Sequence, residues 1–589
     1  MQQATTGRVR ELSLLSQQLT VRMMSRTTKT LVLASSFCAL LVTGLSNPAW
    51  ADKDTRNTTA PGTTPAPVAP VVLPPSVAGV DAAVLKLQQS QRLAGLAVDW
   101  PGVQAYYAAG GQVLWTTPSG YSILGVHMVQ QLQQAIAAGM PANDTLRQLA
   151  ASLPQQITPE QAPDAEAWLS ALYTASAYDA VAPLGTTQGQ GAKLLPALAQ
   201  SKDPVRAVGQ QLPSFEMFWR LYAALPHYVH YYEQGGWPKV SGNEKIEIGD
   251  ENTRVGQVKN RLLVTGELAQ IGPDPELYDG DLELAVRQFQ RNHGLNDDGV
   301  IGKRTIEEMN ISAEQRLKQV LLNLDRMRQQ SPDFEERYVF VNIPSTELRV
   351  IDGGITTFHS KAIVGRVARK TPTLKSEIFQ VKLNPDWSVP GKIAAIDMLK
   401  HELEEPGYFA EKNVRVYTTD GKLVDPTRVN WREVKASGKF PYRLKQDAGP
   451  ENALGPMKLD FQNDYAVFVH GTSTPQLFVK QDRFFSSGCV RVEDPLGLAT
   501  FLLQDDPSWT RERVEDVVRG GKTTFAKLAR PIPVHFVYMT AWVDEAGQAH
   551  FRQDVYDKDP GVSIPVTLNA PTLIAEQANS TVIRQGTSK

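Results

Sequence analysis

A chain of 589 residues is too long for one hydrophobic core and must divide into several domains. Its 42% hydrophobic and 21% charged residues are those of ordinary globular protein, which excludes a fibrous or wholly disordered chain. A formal net charge of -2 tells against a general nucleic-acid binder, whose surface would be basic, but leaves room for a local basic pocket.

The chain opens with Arg22, Arg26 and Lys29 ahead of an apolar run from Leu31 to Leu45. Asn47, Pro48 and the small-x-small series Ala49-Trp50-Ala51 follow. This order predicts a secretory signal peptide over 1–51, cut after Ala51, with Met23 or Met24 as the effective start. The run is short for a membrane span, so a membrane enters only if the segment stays uncleaved. Export to the periplasm is the expected destination. Cys38 lies inside the apolar run and would leave with it, and Phe37 before it makes a poor lipid-attachment site. The mature chain then keeps one thiol, Cys489, in an oxidising compartment. By count alone it is an accident, a handle for another chain or a nucleophile.

Residues 52–78 are rich in Thr, Pro and Ala (TTAPGTTPAPVAPVVLPPS) and have no apolar period, the pattern of an extended spacer. From 79 to 243 a mainly helical scaffold domain is expected, opening with Val84, Leu85, Leu87 and Leu93 and closing with Phe215, Met217, Phe218, Leu221 and Tyr222. His227 and His230 have ligand-like spacing there. With no third ligand nearby and four tyrosines around them, packing explains them better than a metal. Residues 244–312 form a compact helical unit with turns at Asp279-Gly280, Asp298-Gly299 and Gly302. Its string YDGDLELAVRQFQRNHGLNDDGVIGKRTIEEMN resembles the peptidoglycan-binding module found beside wall hydrolases and transpeptidases. A connecting helix is expected within 313–335.

From Tyr338 the apolar period switches to two, with Val339, Val341 and Ile343 on one face, so a mainly β domain is expected over 336–510. Within it, about 395–445 is charged and loop-rich and has the character of an inserted lid. Alternation resumes in PVHFVYMTAWVDEAGQAHFRQDVY, predicting a C-terminal β extension and tail over 511–589 that packs on this domain and frays after about Ile564.

The chemistry concentrates in VFVHGTSTPQLFVKQDRFFSSGCVRVEDP. Alternation puts Val467 and Val469 on one face of a strand, with Phe468 and His470 on the other. After a loop, Ser486-Ser487-Gly488-Cys489 delivers the thiol on a tight turn, and Asp494-Pro495 caps the following apolar helix. An ordinary thiol titrates at about 8.5 and only its thiolate attacks, so a histidine within reach is the natural proton acceptor. Free N–H groups at Gly488 and Cys489 would stabilise a tetrahedral oxyanion, typically by about 3 kcal/mol each. Arg491, two residues on, would hold a substrate carboxylate or lower the thiol pKa.

His470 followed by Ser-Ser-Gly-Cys resembles the signature of the L,D-transpeptidase (YkuD-type) catalytic domain. The likeness extends to VNIPSTELRVIDGG, IVGRVARKTP, LNPDWSVP and FPYRLKQDAGPENALG, and the domain order is similar to the large multidomain YcbB-like type of Gram-negative bacteria. The resemblance spans roughly 80–560. It implies Cys489 as nucleophile, His470 as base and Gly488 with Ser487 in the catalytic turn. It implies that Trp387 and Pro390 line the substrate groove and that Asn452 and Gly455 shape the approach to the thiol. Ser487 replaces the usual histidine, Arg491 stands where many members have asparagine, and Phe468 stands where tyrosine would be ordinary. If a hydroxyl at that position tunes the histidine, the tuning is lost here.

The implied reaction is attack on the carbonyl of a third-position diamino acid of a tetrapeptide stem, expulsion of D-alanine, and transfer to a second stem's amine. It needs no metal or organic cofactor, and it implies acylation by carbapenems. Stem peptides are the implied partners, with an outer-membrane lipoprotein or wall synthases as further ones. A cysteine-dependent wall hydrolase and an inactive wall-binding scaffold compete with this reading. A zinc amidase does not, for want of a ligand cluster.

Overall fold

The computed structural model describes residues 78–90, 92–93, 98–140, 144–181, 191–330, 334–561 and 564. The expected signal peptide, nearly all of the spacer and the terminal tail lie outside the described residues.

The first part is helical: α1 (Ala78–Gln89), α2 (Trp100–Ala108), α3 (Ile123–Ala137), α4 (Asp144–Ser152), α5 (Ala162–Val181), α6 (Gly191–Ala199), α7 (Pro204–Gln211) and α8 (Glu216–Glu233). The chain marks its own helix starts. Asp99 accepts from the Gly102 N–H ahead of Pro101, and Ser122 accepts from the Gly125 N–H. Glu166, fully buried on α5, accepts from the backbone of Leu114 and Trp115 and from the Tyr107 and Thr116 hydroxyls at 2.7–3.0 Å. These bonds fix the α2–α3 connection to the helical core.

A second core belongs to α9 (Thr253–Thr265), α10 (Gly280–Asn292) and α11 (Lys303–Met309). Asp279 caps α10 and also pairs with the buried Lys259 at 2.6 Å. The Gln290 amide bonds Gly299 and Val300, each at 2.9 Å, and so holds the Asp298-Gly299 turn. Helix α12 (Ala313–Gln330) is more than a connector. Its Leu317, Val320, Leu321, Leu324 and Met327 are part of the scaffold core.

The β domain is built on β1 (Arg337–Asn342), β2 (Glu347–Asp352), β3 (Ile355–Gly365), β4 (Leu374–Leu383), β9 (Met457–Phe461), β10 (Val469–His470), β11 (Phe484–Ser486), β12 (Val490–Val492) and β13 (Thr524–Val537). Their order is β11-β3-β12-β10-β9-β4-β13-β1-β2, and β2 pairs with β3, so the sheet closes on itself around an aliphatic core. Helix α13 (Pro495–Leu503) covers this core with Leu498, Leu502 and Leu503, and α14 (Arg511–Arg519) adds Val514.

Two expectations are corrected here. The predicted C-terminal extension from 511 is integral to the β domain, because β13 lies between β4 and β1 in the sheet. Its inward residues Ala526, Leu528, Ile532, Val534 and Phe536 are buried on the closed face, which no peripheral strand would allow. The final hairpin, β14 (Ala541–Val543) with β15 (Ala549–Phe551), bridges the scaffold and the β domain: Trp542, Val543 and Phe551 join the helical core together with Tyr338, Phe340 and Ile351 of β1 and β2.

The charged insertion is also more ordered than its composition suggests. A four-stranded sheet of β5 (Trp387–Ser388), β6 (Val414–Thr418), β7 (Leu423–Val424) and β8 (Tyr442–Gln446) runs in the order β5-β8-β6-β7. It packs on short helices around a separate core containing Phe409, Val416, Trp431 and Leu444. Charged residues hide this core in the sequence because its apolar positions are widely spaced.

Candidate active site

Strand β10 runs parallel to β12, with Val469 opposite Val490 and His470 opposite Arg491, and the Val490 N–H donates to the Phe468 carbonyl at 2.9 Å. The register places Cys489 across from Phe468. The two valines face the core, so strand alternation puts His470 and Arg491 on the other side of the sheet, while Cys489, just before β12, also packs against the core. Antiparallel β9 sets Lys458 opposite His470, on that same side. Thiol, imidazole and two cations thus converge on adjacent strands.

His470 is 5% exposed. Its Nδ1 lies 2.7 Å from the Gly471 carbonyl, which can only accept, so Nδ1 carries the proton and Nε2 keeps its lone pair. Burial, with Arg491 adding to it, lowers its pKa to about 3, so the ring is neutral at pH 7. Burial pushes the half-buried Cys489 thiol up, while a backbone hydrogen bond from Phe468 and the charges of Arg491 and Lys458 act the other way. Both groups are therefore neutral at rest, with Arg491 and Lys458 the charges acting on them.

The turn before the thiol is held from several sides. Ser486 Oγ accepts the Gly488 N–H at 3.1 Å and donates to the Cys489 carbonyl at 2.5 Å. Gly488 adopts φ +119°, a conformation glycine permits and L side chains resist. Its carbonyl accepts from Thr371 Oγ1 at 2.8 Å, and that hydroxyl in turn accepts from the Gly365 N–H at 2.8 Å. Fully buried Tyr556 donates to the Gly365 carbonyl and accepts from the Thr371 N–H. The Gly488 N–H is thus already bonded within the turn.

Several residues singled out in the sequence have other duties. Ser487 accepts from Arg369 Nη1 at 2.9 Å and Arg366 Nη2 at 3.2 Å, which ties the turn to both arginines. Asn452 is 1% exposed and spends its side chain on Asp447 (2.8 Å) and Leu454 (2.8 Å), so it shapes its own loop and offers substrate nothing. Gly455, at φ +63°, sits so close to the strand after His470 that a Cβ would lie 2.3 Å from the Thr472 nitrogen. Trp387 packs on the core of the insertion and Pro390 begins its first helix, so neither stands on the strands around the thiol. Phe468 carries the Lys458 ammonium 3.7 Å above its ring centre, a contact that orients Lys458 where a tyrosine hydroxyl was considered. Arg491 touches only Thr474 Oγ1, at 3.5 Å, and its buried Nε has no partner among the described residues.

Sequence reasoning missed Lys458, Ser486, Thr371 and Tyr556. The alternation in MKLDF marks Lys458 and Asp460 as sharing the side opposite the core, and this was the one available signal. Thr371 and Tyr556 act across 117 and 191 residues of separation, which no local pattern records.

Residues 336–515 match the L,D-transpeptidase catalytic domain of the YkuD family, and residues 251–309 match a family described as "Putative peptidoglycan binding domain". This chain carries a YkuD-type L,D-transpeptidase catalytic domain beside a peptidoglycan-binding module. A Haemophilus influenzae protein named "Putative L,D-transpeptidase" is 35% identical over 260 residues, covering 44% of this chain and 51% of that protein. The chain thus spans about half the length of this curated relative. Among solved structures, an L,D-transpeptidase from Stackebrandtia nassauensis is 13% identical with a TM-score of 0.20, covering 51% of this chain and 96% of that one. One from Xylanimonas cellulosilytica is also 13% identical, with a TM-score of 0.17, covering 50% of this chain and 99% of that one.

Proposed function

We propose that the chain is an exported, periplasmic L,D-transpeptidase that cross-links third-position diamino acids of peptidoglycan stems through a Cys489 thioester. The reading rests chiefly on the parallel register of β10 and β12, which sets a neutral imidazole beside the thiol's strand. His470 Nε2 takes the Cys489 proton as Sγ attacks the carbonyl of the diamino acid. The Cys489 N–H receives the developing oxyanion. The protonated imidazole then gives its proton to the departing D-alanine nitrogen, leaving the thioester and a neutral ring. A second stem's amine repeats the sequence in reverse, losing its proton to His470 and releasing the thiol. Arg491, with its donors open, suits a stem carboxylate next to the reacting carbonyl.

The module over 251–309 supports peptidoglycan as the substrate. The test is product analysis with purified tetrapeptide stems. The intact chain should release D-alanine and form dimeric stems, and Cys489→Ala should form none. Cross-linking by Cys489→Ala would overturn the assignment. Release of D-alanine without dimers would make the enzyme a hydrolase.

A further inference from the structure

A cavity of about 260 Å³ opens where α8, the wall-binding module, α12 and the β14–β15 hairpin meet, and none of its walls comes from β10 or β12. Tyr228, Tyr231 and Trp237 supply ring faces to it, and Arg261, Arg316 and Glu267 supply charge. Arg261 is 2% exposed, lies 4.0 Å over the Trp237 ring, and donates to Met309 O and Thr265 Oγ1 at 2.9 and 2.8 Å. Burial lowers its pKa to about 10. Arg316 is equally buried; it pairs with Glu308 and donates to Gln319, while its buried Nε has no partner among the described residues. Glu267 accepts from the Thr265 hydroxyl, and burial pushes its carboxyl up despite both arginines. Desolvated charges of both signs thus line one small aromatic chamber.

We propose that this cavity binds the α-amino-acid end of a wall diamino acid, where an ammonium and a carboxylate share one carbon. The carboxylate meets the Arg261 and Arg316 guanidinium groups that line the chamber. The ammonium meets Glu267, with the Tyr228 and Tyr231 rings beside it. A volume of about 260 Å³ has room for one amino-acid head. A sugar ring would leave both charges unanswered. The inference rests on the reading that the chain works on wall peptides, and it gives the module's junction a role in holding an uncross-linked stem.

The test is calorimetric titration of the full chain carrying Cys489→Ala with meso-diaminopimelate. Saturable binding is expected, and pimelate and 1,5-diaminopentane, each lacking one charge type, should bind at least about 10-fold more weakly. Adding Glu267→Gln should cost the same factor for meso-diaminopimelate, with an unchanged melting temperature. No saturable binding at about 1 mM ligand would overturn the inference, as would equal binding of the analogues, preference for N-acetylglucosamine, or Glu267→Gln binding as its parent does. If Glu267→Gln fails to fold, the analogue series on the parent decides. The titration needs no thiol, so failure of acylation in the wild-type chain and failure of this cavity to bind are separate results.

Discussion

The turn carrying Cys489 and the insertion that reaches toward it are held by opposite means. Around the turn, Ser486, Thr371 and Tyr556 supply neutral hydrogen bonds from buried positions, all anchored on the closed sheet. The insertion folds on its own core and meets the same turn through charge, since Asp397 pairs with Arg369, whose Nη1 also bonds Ser487. Lys445 of β8 pairs with Asp386 at 2.7 Å in a second such link. Buried neutral bonds fix geometry, whereas partly exposed ion pairs are weak and salt-sensitive. The groups around Cys489 are therefore set by the sheet, and the insertion meets them through charge.

The largest effect that sharpens this contrast is pH dependence. A sheet that holds Cys489 desolvated near a neutral His470 gives a thiol titrating above the ordinary thiol range and no thiolate–imidazolium pair in the acid range. Alkylation by iodoacetamide should rise about 10-fold per pH unit from pH 7 to 9, the slope of a thiol below its pKa. A flat, fast rate between pH 5 and 8 would mean a preformed ion pair and break the account of the resting site. Next comes Thr371→Val, which strips the Gly488 carbonyl and the Gly365 N–H of their shared partner. Leaving such groups unsatisfied costs about 1–3 kcal/mol, so acylation should slow by about 10-fold with KM unchanged. An unchanged acylation rate would show that the turn does not depend on that hydroxyl. The smallest effect is Asp397→Asn. Loss of a partly exposed pair should change stability by less than about 1 kcal/mol and alter KM for stem peptide a few-fold, leaving the alkylation rate of Cys489 alone. A collapse in melting temperature would show that the insertion is structurally bound to the sheet after all.

The same contrast explains what the sequence made legible. Helical periodicity in the first part, the turn signals of the module and the period of two from Tyr338 follow from local pattern, and each corresponds to the observed fold class. His470 and Cys489 were weak signals as a pair and stood out only beside the export-like start and the wall-module string. The β13 strand was misplaced because nothing local distinguishes a central strand that arrives late in the chain from a peripheral one. Trp387 was drawn toward the substrate by a motif, yet its ring belongs to the insertion core. Asn452 was drawn the same way, although a buried amide with two backbone partners has nothing left to offer. Long-range satisfaction of buried polar groups decides such cases, and it leaves no periodic trace.

The most direct measurement is intact-mass spectrometry of the wild-type chain during reaction with a tetrapeptide stem, followed by peptide mapping. The account predicts an acyl adduct of the stem less D-alanine, located on Cys489 and absent from Cys489→Ala. An adduct on any other residue, or D-alanine release with the Cys489→Ala chain, would contradict it.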